Sequence, residues 1–370
     1  MSYHLNGYGV LHNEAFSSFL GESAERFTFA SLYKLIQPYI ITFSYREMVE
    51  KYGVDNVCSL KLLNGYHTPN QKEYFLDETN NIQWVEMNSL IYPGEKTYIP
   101  LQCVVSNDGL ICKDEVQFMP PAVSTGTACH ESFIKSLENA VIEYLQIDSF
   151  NLWWYGGMKG KEKKIDLTKL LKTCFEKNNI NDFISNFDIK LTDISFDKDI
   201  YVYVCEIFSK NPNLPKYTVG VQGGTDEIKT IYRSIMEGLA VLEYNMHLPW
   251  IDNNKYNRIK KNHKPIYNLD DNVILCSKYG KEKNVKHTNE FFLKTSHSKS
   301  LKPISSLKKI SKYACYLNVT LPDFYGLNFY VSRICIPELL PMCLPSLPPK
   351  HHLRYINTGG IYNEFPHPLA

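Results

Sequence analysis

Glutamates recur at helical spacing in three separate stretches of this 370-residue chain. In the first, Ser18, Glu22 and Glu25 step by four and then three residues, with Arg26 next to them. At 3.6 residues per turn these side chains stack along one side of a helix. A second stretch reads Ser132, Ser136, Asn139, Glu143, Gln146, and a third Asp226, Thr230, Arg233, Glu237. Carboxylates one turn apart repel, so a buried stripe of this kind needs positive charge beside it. The plainer alternative is that each stripe faces water. If the stripes face one another, Glu22, Glu25, Glu143 and Glu237, with Asn139 and Gln146, form a set of hard oxygen ligands suited to Mg2+. Arg26 and Arg233 would then match phosphate oxygens through their guanidinium forks. The combination points to a nucleoside triphosphate site without a Walker loop, and no GxxxxGK[ST] occurs in the chain.

The elements that must carry these residues are three amphipathic helices, at about 14–27, 131–154 and 226–244. Their apolar faces read Phe16, Phe19, Leu20, Ala24, Phe27; then Ile134, Leu137, Val141, Leu145; then Ile228, Ile231, Ile235, Leu239, Leu242. Strands are expected in the β-branched and aromatic runs 97–105, 201–208, 217–221 and 328–336. Helices interspersed with strands give an α+β or mixed α/β fold in which sheets carry the helices. The basic, weakly periodic stretches 157–164, 253–264 and 278–312 read as surface loops or as a docking surface for an acidic peptide. The tail from about 336 is dense in proline and cannot continue a helix or a central strand.

Forty Lys and Arg balance 39 Asp and Glu, which excludes a dedicated nucleic-acid binder working through bulk charge. No signal peptide and no membrane-spanning stretch is legible, so the expectation is a cytoplasmic protein with no membrane or nucleic-acid partner. The ten cysteines are scattered without a CxxC pair, as expected of reduced, buried thiols and not of structural zinc. Gly7-Tyr8-Gly9 and Gly223-Gly224 are compatible with simple turns before helices. Ser124 to His130 is a small-residue turn able to approach phosphate through its backbone N–H groups. The competing enzyme reading uses Cys129 as a nucleophile with His130 beside it.

These residues resemble a known family, the YcaO proteins. Residues 7–26, GYGVLHNEAFSSFLGESAER, resemble its opening motif, a Gly-x-Gly followed by Ser-x-x-x-Glu-x-x-Glu-Arg. Residues 124–154 resemble the second motif and residues 219–238 the third, with Glu237 at the family's glutamate. The resemblance covers nearly the whole chain and implies one YcaO-like domain over 1–370 ending in the Pro-rich tail of about 336–370. It implies that ATP and Mg2+ are the cofactors, with Glu22, Glu25, Glu143, Gln146 and Glu237 as metal ligands. Ser18 and Arg26 would lie at the phosphates, and Gly7, Tyr8, Gly9, Asn139 and Arg233 would complete the nucleotide site. Arg333, in a late strand before a proline, is similar to a basic residue of the family, and Pro366 and Pro368 resemble the proline-rich terminus of its cyclodehydratase branch. Three positions depart from the pattern: Tyr8 where Lys is usual, Gln146-Ile147 for Glu-Arg, and Ala240 where Gln is common.

The implied activity is ATP-dependent cyclodehydration of a ribosomal precursor peptide at Cys, Ser or Thr. Thioamide or amidine formation is the alternative within the family, and a catalytically impaired scaffold binding peptides or partners is the alternative outside catalysis. The resemblance further implies a homodimer, a separate leader-peptide-recognition (E1-like) partner protein and a flavin-dependent azoline dehydrogenase.

Overall fold

The computed structural model describes residues 5, 7–9, 11–67, 75–106, 114–120, 122–172, 177–262, 265–290 and 302–369, of 177 and 178 only the backbone. Part of the basic stretch, 291–301, and the cysteines at 112 and 174 lie outside the described residues. Six helices of eight residues or more are present among the described residues: α1 (His12–Ile36), α2 (Tyr45–Tyr52), α3 (Phe133–Trp154), α4 (Lys177–Asn186), α5 (Glu227–Ile251) and α6 (Leu269–Tyr279). The strands are β1 (Ile40–Ser44), β2 (Asn81–Ser89), β3 (Lys96–Pro100), β4 (Thr127–His130), β5 (Lys161–Glu162), β6 (Phe187–Asp193), β7 (Tyr201–Ser209), β8 (Tyr217–Gly224), β9 (Cys315–Asn318) and β10 (Tyr330–Cys335). Among the described residues no helix is long and apolar enough to cross a membrane.

Two antiparallel sheets result. One runs β1-β2-β9-β10-β4, with β3 also paired to β2; the other runs β5-β6-β7-β8. The mixed α+β expectation holds. The second sheet centres on β7, whose nearly continuous apolar run is buried because β6 and β8 flank it and α5 packs on it. β4 and β8 are edges of their sheets, and α3 packs across both, touching β4, β10 and β8. That double contact explains its burial: every residue from Tyr144 to Trp154 is buried, the polar Gln146, Asp148, Ser149 and Asn151 included, and its apolar ones sit in the largest core cluster. α1 packs against β4, and α5 against β8.

Several expectations need correction. The 97–105 run is a strand only to Pro100; Leu101–Val104 form a helical turn. Ser124 to His130 is a turn only at its start, because Thr127–His130 pair with β10. The helices at 14–27 and 226–244 are longer than their sequence pattern, and α5 continues through Pro249 in its last turn. The apolar face assigned to α1 points outward: Phe16 and Phe27 are 52% and 60% exposed, and only Ala24 of that set is buried. Ile134 and Ile228, each in the first turn of its helix, are likewise exposed, while Leu137, Val141, Leu145, Ile231, Ile235 and Leu242 are buried as expected. The eight described cysteines are all unpaired and seven are buried.

The end of the tail, residues 366–369, is buried at the far end of α3. Trp154 Nε1 donates to the Phe365 carbonyl (2.8 Å), Asn272 Nδ2 to that of Leu369 (2.9 Å), and His367 Nε2 lies 3.0 Å from the Cys343 carbonyl. Arg354 pairs with Asp148 of α3 and with Asp197 (2.9 and 2.7 Å), and the fully buried Lys198 joins Asp148 at 2.6 Å. Pro366 and Pro368 are buried here. Trp154 is roughly 16 Å along the helix from Glu143 at 1.5 Å per residue, so Pro366 and Pro368 are not brought to the acidic stripes.

Arg333 has a framework role in this arrangement. It is 2% exposed, and its guanidinium donates to the carbonyls of Val104 (3.0 Å), Thr125 (2.6 Å), Cys103 (3.4 Å) and Val123 (3.3 Å) and to Thr127 Oγ1 (3.1 Å). A guanidinium has five N–H donors. All five are engaged, so the expected catalytic posture is replaced by a clamp on the segment leading into β4. Arg333→Met is expected to leave those buried acceptors unpartnered and to cost about 3 kcal/mol of stability or more, read as a lower urea midpoint.

Candidate functional site

An edge strand presents backbone N–H groups with no ladder partner, and when buried these must be satisfied by something else. Here side chains from the three long helices do it. Glu25 of α1 accepts from the Cys129 amide (2.8 Å), and Glu143 of α3 from the Gly126 amide just before β4 (3.1 Å). Glu237 of α5 accepts from the Val221 amide of β8 (3.0 Å) and from Gln222 Nε2 (2.9 Å). Gln146 holds β8 at both ends of its carboxamide, accepting from the Gly223 amide and donating to the Val221 carbonyl, each at 2.8 Å.

Glu22 lies one turn before Arg26 and pairs with it at 3.4 Å; Arg26 also donates to Ser124 Oγ in the turn before β4. The negative charge of Glu22 reaches Glu25, Glu143 and Glu237 alike, which places it among the other three. Ser18, half-buried, and Asn139, exposed, lie one turn ahead of Glu22 and Glu143 on the same faces. Gly7 and Gly9 fold the N-terminal segment against the first turns of α1; a Cβ at Gly7 would come within 2.2 Å of the Ala15 carbonyl oxygen. This close approach delivers Tyr8 to the cleft, where its hydroxyl accepts from Gln222 (2.8 Å) and Arg233 lies 5.9 Å from its ring centre.

Burial raises the carboxyl pKa of Glu25 to about 8, with Glu143 adding to the shift, and raises those of Glu143 and Glu237 to about 7 each. The strand amides and nearby arginines oppose these shifts without cancelling them. The cleft therefore has a deficit of positive charge. Because the folded-state pKa values lie above the ordinary carboxylate range, this contribution to stability is full below about pH 4.5 and is lost as pH rises through 7 to 8. A divalent cation reverses that penalty. Among the described residues, no three Asp, Glu, His or Cys side chains converge tightly enough to hold an ion alone. Mg2+ fits such a site, since it takes one or two carboxylates and completes its shell with phosphate oxygens and water.

Of the expected residues, Tyr8, Glu22, Glu25, Arg26, Glu143, Arg233 and Glu237 are brought together by these contacts, Gly7 and Gly9 hold the segment that carries Tyr8, and Ser18 and Asn139 only share helix faces with Glu22 and Glu143. Gln146 reaches the cleft with its carbonyl oxygen already engaged. Arg333 acts on Glu143 through its charge alone, its guanidinium being committed to the segment entering β4, and Pro366 and Pro368 lie at the far end of α3. Cys129 is no nucleophile: burial pushes its thiol up to about 12, and His130, its neighbour on a strand, points to the opposite face. Sequence reasoning missed Ser124 as a partner of Arg26 and Gln222 as the partner of both Tyr8 and Glu237; Gln222 carries only the weak signal of a polar residue in a buried strand run.

Two sheets joined by long helices, with carboxylates and arginines gathered over the strand edges, define a metal-dependent nucleotide-binding protein of α+β architecture. The profile of the YcaO cyclodehydratases, a family described as binding ATP and Mg2+, matches residues 6–340, and the chain belongs to that family. No curated protein matches it by sequence. Among solved structures it is similar to a chain of the E. coli microcin synthetase McbBCD complex with pro-MccB17 bound (17% identity, TM-score 0.63, covering 89% of this chain and 80% of that one). It is also similar to a heterocyclase in complex with substrate and cofactor (14%, 0.60, 90% and 44%) and to YcaO from Methanopyrus kandleri bound with AMPPCP and Mg2+ (13%, 0.51, 91% and 79%). The chain spans less than half of that heterocyclase. ATP and Mg2+ are accordingly its cofactors.

Because Mg2+ displaces protons from these carboxyls, binding of Mg2+ with an ATP analogue is expected to release protons and to tighten from about pH 6 to about pH 8.5. Calorimetry in buffers of different ionisation enthalpy measures both effects. Glu25→Gln keeps an acceptor for the Cys129 amide but removes a buried charge, so it is expected to raise the melting temperature of the ligand-free protein at about pH 8.5 by roughly 1–3 °C.

Proposed function

We propose that this chain is an ATP-dependent peptide backbone cyclodehydratase. A Cys, Ser or Thr side chain of a ribosomal precursor peptide attacks the preceding carbonyl carbon, and the resulting oxygen takes the γ-phosphoryl group of ATP, leaving ADP. That attack, with loss of the thiol or hydroxyl proton, closes the five-membered ring; departure of phosphate with the amide N–H proton then forms the C=N bond of the thiazoline or oxazoline. The observation that carries this reading is the set of half-buried carboxylates anchored on backbone amides, with Arg26 and Arg233 close by. Family membership and the fold shared with a microcin synthetase chain and a heterocyclase support it.

Glu22, Glu25, Glu143 and Glu237 would hold Mg2+, with Gln146 contributing a carbonyl oxygen at most. When bound, Mg2+ neutralises charge on the phosphate oxygens. Ser18, Gly7 and Gly9 leave room for the phosphates and donate to them, and Arg26 and Arg233 meet charge that develops as the phosphoryl group leaves. No protein nucleophile is required, which agrees with the buried thiol of Cys129. The reading brings with it a leader-peptide-recognition partner protein and a flavin-dependent dehydrogenase that converts azolines to azoles. Gln146 favours one second reading, a subunit that binds nucleotide and peptide without turnover, since its carboxamide is committed to β8 and supplies no charge.

Titration of the wild type and of the Glu22→Gln, Glu25→Gln double variant with Mg2+ and AMPPCP tests the site. Binding at least about 100-fold weaker in the variant is the expected result; a folded wild type that binds no nucleotide contradicts the proposal. Mass loss of one water per ring in a precursor peptide, dependent on ATP, separates the enzyme from the non-catalytic subunit.

A further inference from the structure

We propose that Tyr8 donates a neutral O–H hydrogen bond to an anionic oxygen of the bound nucleotide, and that Gln222 is the positioning residue that aims it; this rests on the cleft being the ATP site. A tyrosine hydroxyl can accept two hydrogen bonds and donate one. At Tyr8 the hydroxyl oxygen is used as an acceptor: Gln222 Nε2 donates to it at 2.8 Å, while the Arg233 guanidinium lies 5.9 Å from the ring centre. Burial, reinforced by Glu237, raises the phenol pKa further above its ordinary value, so the proton stays in place at working pH. The one O–H donor is left, directed away from Gln222, and among the described residues Tyr8 donates to no protein acceptor.

The aim is fixed from below. The Gln222 nitrogen donates both to Tyr8 and to Glu237 Oε2 (2.9 Å), and Glu237 is itself held by the Val221 amide (3.0 Å). The carboxamide cannot turn without breaking one of these bonds. From above, the tight packing at Gly7 and Gly9 keeps Tyr8 over the cleft; a Cβ at Gly9 would meet Glu14 Cγ at 2.7 Å. The hydroxyl thus sits on Gln222 beside Glu237, with Arg233 near its ring, and its proton is free for an anionic oxygen of a ligand held there. A neutral donor differs from an ammonium group at this place in one respect that can be measured: its contribution carries no net charge and is little screened by salt.

The test is a double-mutant cycle with Tyr8→Phe and Gln222→Met, titrating each protein with Mg2+ and AMPPCP at low and high ionic strength. Tyr8→Phe keeps the ring under Arg233 and is expected to weaken binding about 10-fold, by the same factor at both ionic strengths, with the melting temperature of the free protein unchanged. On the Gln222→Met background the same substitution is expected to cost nothing further. Wild-type affinity in Tyr8→Phe, or an equal loss on both backgrounds, overturns the inference while leaving the ATP site intact. A wild type that binds no nucleotide removes the reading on which it rests.

Discussion

The outward sides of β4 and β8 have no strand to pair with; glutamates from α1 and α5 answer amides of these strands, and one from α3 answers the Gly126 amide in the turn entering β4, at 2.8 to 3.1 Å. Two requirements are met by one bond. The strand edge gains the acceptor that a buried amide needs, and the carboxylate gains a fixed orientation with an oxygen turned to the cleft. The cost is charge held away from water, visible as carboxyls that titrate near 7 to 8. A fold that tolerates this strain in the empty state is one prepared to take up a cation, because ligand binding then removes repulsion that folding has already fixed in place.

The same constraint explains why α1 is turned as it is. Its carboxylates must meet β4, so Phe16, Phe19, Leu20 and Phe27 face away from the core. The period of 3.6 made the stripes legible in the sequence, and with them most of the site, since helical spacing fixes which residues share a face whatever that face touches. Which side is buried was not legible for α1: hydrophobicity favours the phenylalanines inward, and the functional cleft overrides it. α5 was read more fully because its apolar side and its carboxylate side both contact the second sheet, Ile231 and Ile235 from within the core and Glu237 at the edge of β8.

Residues whose roles depend on distant chain segments could not be read locally. Arg333 is recognisable as a basic residue in a late strand, yet its acceptors lie more than 200 positions earlier, at 103–127. The proline-dense tail signals irregular backbone correctly, but its burial depends on Trp154 and Asn272, which no local pattern connects to Pro366 or Pro368. Gln222 looks like one polar residue in a strand; its importance arises only when α5 and the N-terminal segment converge on it.

The central claim is that strand amides hold the cleft carboxylates ready for the metal. The most direct measurement is the pH titration of the backbone amide proton shifts of Gly126, Cys129 and Val221 by NMR, with and without Mg2+ and AMPPCP. Each amide is expected to report its carboxylate titrating near 7 to 8 in the free protein and to lose that titration once metal and nucleotide are bound. Amide shifts that titrate in the ordinary carboxylate range, or that ignore the ligand, contradict the account.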